Sequence, residues 1–253
     1  WFSTEPPKSA PPRPWPAHSW GVVRLGASHM WAALLLGLAG AWLTNWVADW
    51  LPARIADEDG DGIPVVSSRP RPFWRTLLLL AGSVAFAVYL YRVHSWNPTF
   101  WARFMLSELL LLIGAIDLEH RLVPNVLVAT GIVLSLLFSI LRVLPDPRSA
   151  LTGALSAGAL FILLAAAGRG ALGPGDVKLA ILIGTINGFP AVFQALLLGI
   201  LFGGLAAAVL LVARIRGPKQ YIPYAPYLVA GCLSTMLFGQ QLAGWTRLPV
   251  WGG

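Results

Sequence analysis

Gly173-Pro174-Gly175-Asp176-Val177-Lys178 stands between two long apolar runs, and its reading decides the fold. Glycine tolerates backbone angles and close approaches that a side chain would block. Proline lacks an N–H and disfavours helix in the residue before it. The upstream apolar run therefore stops here, and a new helix starts near Asp176. An acid at a helix N-terminus is ordinarily a favourable cap, and taken alone this stretch says no more.

A second stretch changes that reading: Ile116-Asp117-Leu118-Glu119-His120-Arg121-Leu122-Val123-Pro124-Asn125. Asp117 closes another apolar run, from Phe104 to Ile116, and Glu119, His120 and Arg121 are expected in a tight loop. Pro124 fits the first turn of the following helix, where a missing N–H costs little. Two acids at the ends of two hydrophobic helices can meet at one depth. Carboxylates a few ångströms apart do not readily both ionise, so they share a proton, and one can activate water while the other protonates a leaving group. That is the chemistry of an aspartic protease.

The composition sets the solvent. The chain has 253 residues, 57% of them hydrophobic and only 11% charged, with a mean hydropathy of +0.69. A soluble domain carries about 25% charged residues. At about 20 residues per span, eight spans use most of the chain. The expected fold is all-α, a polytopic membrane bundle of about eight transmembrane helices. The expected parts are a Pro-rich flexible tail at 1–29, a first span with its loop at 30–75, and a membrane bundle at 76–253. A long polar tail precedes the first apolar run, so no cleavable signal peptide is expected. The net charge of +7 fits basic loops lying against anionic lipid, and no aromatic and basic stripe points to nucleic acid. Cys232, the one cysteine, excludes an internal disulfide and a thiolate zinc site, and no metal is expected. With eight alternating spans, the loops that hold Asp117 and Asp176 fall on the side richer in Lys and Arg. That side is cytoplasmic by the positive-inside rule.

The GxGD unit with Val-Lys-Leu, together with Ile-Asp-Leu-Glu-His-Arg-Leu-Val-Pro-Asn upstream, resembles the type 4 prepilin peptidase family. The resemblance implies an intramembrane aspartic protease of the bacterial inner membrane with Asp117 and Asp176 as its catalytic pair. The implied substrate is a type IV prepilin or pseudopilin, whose leader is cut on the cytoplasmic side without a cofactor. Some members also methylate the new N-terminus with S-adenosylmethionine, and whether this chain does so stays open. Gly40-Ala41-Trp42-Leu43-Thr44-Asn45-Trp46-Val47, followed by Leu51-Pro52, is similar to the family's first-span motif, with Trp50 in place of an arginine. Tyr221-Ile222-Pro223-Tyr224-Ala225-Pro226-Tyr227-Leu228 is similar to another, with Ala225 in place of a glycine. The zinc module with two CxxC pairs that many members carry is missing.

Around the two aspartates, Gly173 and Gly175 are candidates for letting a substrate strand lie close. Pro124, Pro223 and Pro226 are candidates for shaping its groove, although Pro223 and Pro226 equally suit a simple helix start. Lys178 either holds negative charge on the pair or anchors a helix at the lipid surface. Asn45 and Asp49 share a helix face, as a polar patch toward the site or a bond between helices. Glu108 lies inside a span, on the face opposite Asp117, and is expected to make an interhelical hydrogen bond or to be protonated. His120 is read as an interfacial residue. Asp57-Glu58-Asp59-Gly60-Asp61-Gly62 imitates the start of a calcium loop, but Pro64 intrudes and Ser68 stands at the twelfth position. A solvated acidic turn is the expected reading there. The rival functions are a proton-coupled transporter using Glu108, Asp117 and Asp176 as a relay, and an inactive scaffold for pilus assembly.

Overall fold

A computed structural model describes residues 27–58, 72–168, 172–213 and 223–246. The Pro-rich tail up to residue 26 and the acidic loop from Asp59 onward lie outside these residues. Among the described residues the chain is entirely helical. The elements are α1 (Ala27–Glu58), α2 (Phe73–His94), α3 (Pro98–His120), α4 (Asn125–Ile140), α5 (Pro147–Ala167), α6 (Pro174–Asn187), α7 (Ala191–Val212) and α8 (Ala225–Thr246). Five of them, α1, α2, α3, α5 and α7, are long and apolar enough to cross a membrane. The protein is a polytopic helical membrane bundle.

The helix ends follow local chemistry. Asn97 caps α3 by accepting from the Phe100 N–H at 2.9 Å, and Pro98 takes the first position. Asp146 and Pro147 repeat the device at α5. The α3 terminus departs from expectation. The helix runs one turn past Asp117 and ends at Arg121, which adopts a left-handed cap (φ 55°) whose N–H bonds the Asp117 carbonyl at 2.9 Å. Glu119 and His120 are therefore helical rather than looped. The α1 helix runs through Pro52 to Glu58.

The α3 helix is the centre of the bundle. Of its span 67% is buried, against 22–33% for the other long helices, and it packs on α1, α2, α4 and α8. The α1 and α2 helices pack on each other and on α3, while α6 packs on α4, α5, α7 and α8. Helices α5 and α6 touch backbone to backbone. A Cβ on Gly184 would lie 2.4 Å from the Gly153 carbonyl oxygen, so Gly184 serves close packing. With 14 residues α6 rises only about 21 Å, short of the roughly 30 Å hydrocarbon layer.

Glu108, a carboxyl within a span, is paired. Glu108 faces α1 and α2, opposite Asp117 as its helical spacing predicts. Thr44 donates to Glu108 Oε2 at 2.8 Å. Ser83 Oγ lies 2.5 Å from Glu108 Oε1 and 2.7 Å from the Gly37 carbonyl oxygen. A hydroxyl has one proton and cannot donate to both. With the Ser83 proton on the carbonyl, which can only accept, Glu108 Oε1 faces a hydroxyl lone pair that a donor at this position would satisfy. Glu108→Gln preserves this pattern, because its amide N–H donates to Ser83 and its oxygen accepts from Thr44. Its thermal unfolding in detergent should match the parent to within about 1 kcal/mol. Glu108→Ala, which strands both hydroxyls beside a cavity, should lose about 2–4 kcal/mol.

Candidate active site

Asp117 and Asp176 come together at one end of the bundle from opposite directions of chain travel. Asp117 rides the last turn of α3 and Asp176 the first turn of α6. Both are buried, at 5% and 4% exposure, in a bundle where α4 and α8 each pack against both carrier helices. The negative charge of Asp176 bears directly on Asp117. Each carboxylate is held by a backbone N–H at the start of a helix. The Gly173 N–H donates to Asp176 Oδ2 at 3.1 Å, and the Ala225 N–H, first in α8, donates to Asp117. Helix N-termini favour negative charge, so the backbone orients both acids, and the Arg121 charge also acts on Asp117. Asp117 Oδ2 remains buried without a hydrogen-bond partner among the described residues.

The other candidates fall into two groups. Gly175 faces the loop between α3 and α4, where a Cβ would stand 3.1 Å from Val123 Cβ and 3.3 Å from its Cγ2. Its bare backbone lets the α6 start approach the segment that follows Asp117. Gly173 has ordinary extended angles (φ −78°, ψ 157°), and neither glycine adopts a positive φ. Pro124 is buried and caps α4. Pro223 is buried just ahead of α8, and Pro226 sits within its first turn, so the Pro pair delivers the Ala225 N–H to Asp117. Lys178 belongs to a different surface. Its Nζ donates to Asn125 Oδ1 at 2.8 Å, on the exposed side of α4 and α6. His120 is largely exposed, 3.7 Å from Glu119. The sequence reading missed Ala225 as a donor, for which the only signal was the proline on its C-terminal side.

A profile of the type IV leader peptidase family matches residues 104–209, which include both aspartates. The prepilin leader peptidase/N-methyltransferase of Aeromonas hydrophila is 30% identical over 211 residues, covering 80% of this chain and 68% of that protein. The chain belongs to the type IV leader peptidase family. Proteins of the same name from Bacillus subtilis and Pseudomonas aeruginosa are 30% and 31% identical over 136 and 146 residues. The matches cover 53% and 56% of this chain, and 54% and 50% of those proteins. The chain thus spans about half the length of these relatives. No solved structure matches it. In this leader peptidase family member the profile starts at Phe104, so α1, α2 and the start of α3 lie ahead of it, and α8 lies after it.

The relatives' names include N-methyltransferase, an activity for which S-adenosylmethionine would be the donor. A groove of about 260 Å³ between α4 and α6 is lined by Asn125, Val128, Ala129, Ile132, Lys178 and Ile181. Small-molecule pockets usually hold about 300–1,000 Å³ and converge several polar groups. This groove is aliphatic apart from its Lys178–Asn125 rim and has no carboxylate to pair with a sulfonium. It does not fit the cofactor, and no methyl-transfer step follows from it. Among the described residues no three His, Cys, Asp or Glu side chains stand together as metal ligands.

Proposed function

We propose that this chain is a membrane aspartic endopeptidase that removes the leader peptide of type IV prepilins or pseudopilins at the cytoplasmic face of the bacterial inner membrane. One observation carries the reading. Two acids on separate helices, 59 positions apart in the sequence, lie buried in the bundle, near enough for the charge of Asp176 to reach Asp117. Burying two like charges together is costly unless they share a proton.

A shared proton gives both halves of peptide hydrolysis. The ionised aspartate takes a proton from water as the water oxygen bonds to the scissile carbonyl carbon. The protonated aspartate hydrogen-bonds the carbonyl oxygen and supports the charge that develops there. The proton then passes to the peptide nitrogen as the C–N bond breaks, leaving a free carboxyl on the leader and a free amine on the pilin. The hydrophobic helix of a prepilin would lie in the bilayer beside the bundle, with its basic leader in the interfacial layer.

The test is direct. The purified full chain in lipid, mixed with a prepilin, should release a leader and a mature pilin whose masses define one cut ahead of the hydrophobic helix. Intact prepilin after prolonged incubation with a panel of prepilins and pseudopilins would overturn the reading.

A further inference from the structure

A basic residue just inside the start of a span ordinarily faces the lipid headgroups, and Arg75 does not. It occupies the first turn of α2 at only 2% exposure. Its guanidinium reaches three acceptors on two other helices. Nε donates to Asn45 Oδ1 on α1 at 2.9 Å, Nη2 donates to the Asp49 carboxylate on α1, and Nη1 donates to Glu119 Oε2 on α3 at 2.7 Å. Thr76, next in sequence, accepts from Asn45 as well. The rigid fork of an arginine fixes relative geometry in a way that a single ammonium cannot.

Glu119 lies two residues beyond Asp117, in the same last turn of α3. That turn is closed by the Arg121 N–H on the Asp117 carbonyl. Two residues are about 200° apart around a helix, so Arg75 does not touch the Asp117 carboxylate. It holds the opposite side of the turn that carries it. Stability alone does not call for such a clamp. Well-packed apolar residues usually do as well as a buried ion pair, and α3 is already seated by Leu106, Leu110 and Ile113, all fully buried. What the clamp adds is a fixed position and rotation for the end of α3.

We propose that Arg75 is a positioning residue for Asp117: by tying Glu119 to α1 and α2, it sets where the Asp117 carboxyl meets Asp176. The proposal rests on the peptidase reading of the two aspartates. It also gives α1 and α2, which precede the family match, a part in the chemistry.

The test uses the full chain in lipid with a prepilin substrate, reading kcat, KM and thermal midpoint for wild type, Arg75→Met, Arg75→Lys, Glu119→Gln and the Arg75→Met/Glu119→Gln double variant. A displacement of about 1 Å can cost about 100-fold in rate. Arg75→Met should lower kcat about 10- to 100-fold with KM held within about threefold, and Arg75→Lys should recover part of the loss. Glu119→Gln, which preserves size and leaves Arg75 paired with Asp49, should also lower kcat. The double variant should be no slower than Arg75→Met alone, the mark of two residues acting as one unit. An unchanged kcat with a lowered midpoint, in Arg75→Met or in Glu119→Gln, overturns the positioning role, as do losses that multiply in the double variant. If wild type cleaves nothing, it is the peptidase reading that falls, and the wild-type control separates the two failures.

Discussion

Asp117→Asn and Asp176→Asn should each reduce leader cleavage by about 10³-fold or more, with thermal midpoints close to the parent. The two outcomes are linked by geometry. An asparagine oxygen accepts from the Gly173 or Ala225 N–H as the carboxylate does, so the caps survive and the bundle still assembles. The lost function is the proton. Asn cannot take one from water, and it cannot supply one to the departing nitrogen. General acid–base catalysis contributes about 10²–10⁴-fold per group, and a pair that shares one proton fails when either member is removed. Substrate binding should persist, because the leader and the hydrophobic helix of the pilin do not depend on the exchanged proton. A time course of mature pilin released by each variant decides the matter. Cleavage within tenfold of wild type by either variant would remove that aspartate from the chemistry. Loss in one variant alone would leave a single-carboxylate mechanism.

The two aspartates were legible because their surroundings change abruptly. Each sits where an apolar run gives way to Gly, Pro or charge, a contrast that survives in one dimension. The all-helical bundle was legible for the same reason, since 11% charge over 253 residues leaves few places for anything but spans. What stayed hidden depends on contacts between distant segments. Arg75 looked like a topogenic charge because its three partners, Asn45, Asp49 and Glu119, come from two other helices. Pro52 is a residue type that ordinarily ends a helix. Proline removes one backbone bond, and a helix packed along α2 and α3 absorbs that loss. Lys178, two residues from Asp176, suggested either that acid or the lipid surface as its partner, and neither is the one it takes. Two residues of helix nevertheless turn it about 200° away, toward Asn125 on α4.

Gly175 carries the second large expectation. The motif glycines were read as room for substrate, yet the neighbour that limits Gly175 is the chain itself. A Cβ at this position would stand 3.1 Å from Val123 Cβ, tighter than ordinary carbon contact at about 3.5–4.0 Å. Val123 lies between Asp117 and α4, so pressure there pushes the two aspartate-bearing segments apart. Gly175→Ala asks its neighbour to give way by a few tenths of an ångström and should slow cleavage by less than about tenfold. Gly175→Val, with two further methyls facing a β-branched side chain, should separate the helix ends by about 1 Å and cost about 100-fold. The decisive comparison is a rescue. Val123→Ala removes the atoms at 3.3 Å and beyond and leaves a smaller side chain whose Cβ, at 3.1 Å, can give way, so Gly175→Ala combined with Val123→Ala should regain part of the wild-type rate. If Val123→Gly, which removes the Cβ as well, leaves the Gly175→Ala defect unchanged, the glycine is needed for the incoming strand and not for the approach of α6 to the Asp117 segment.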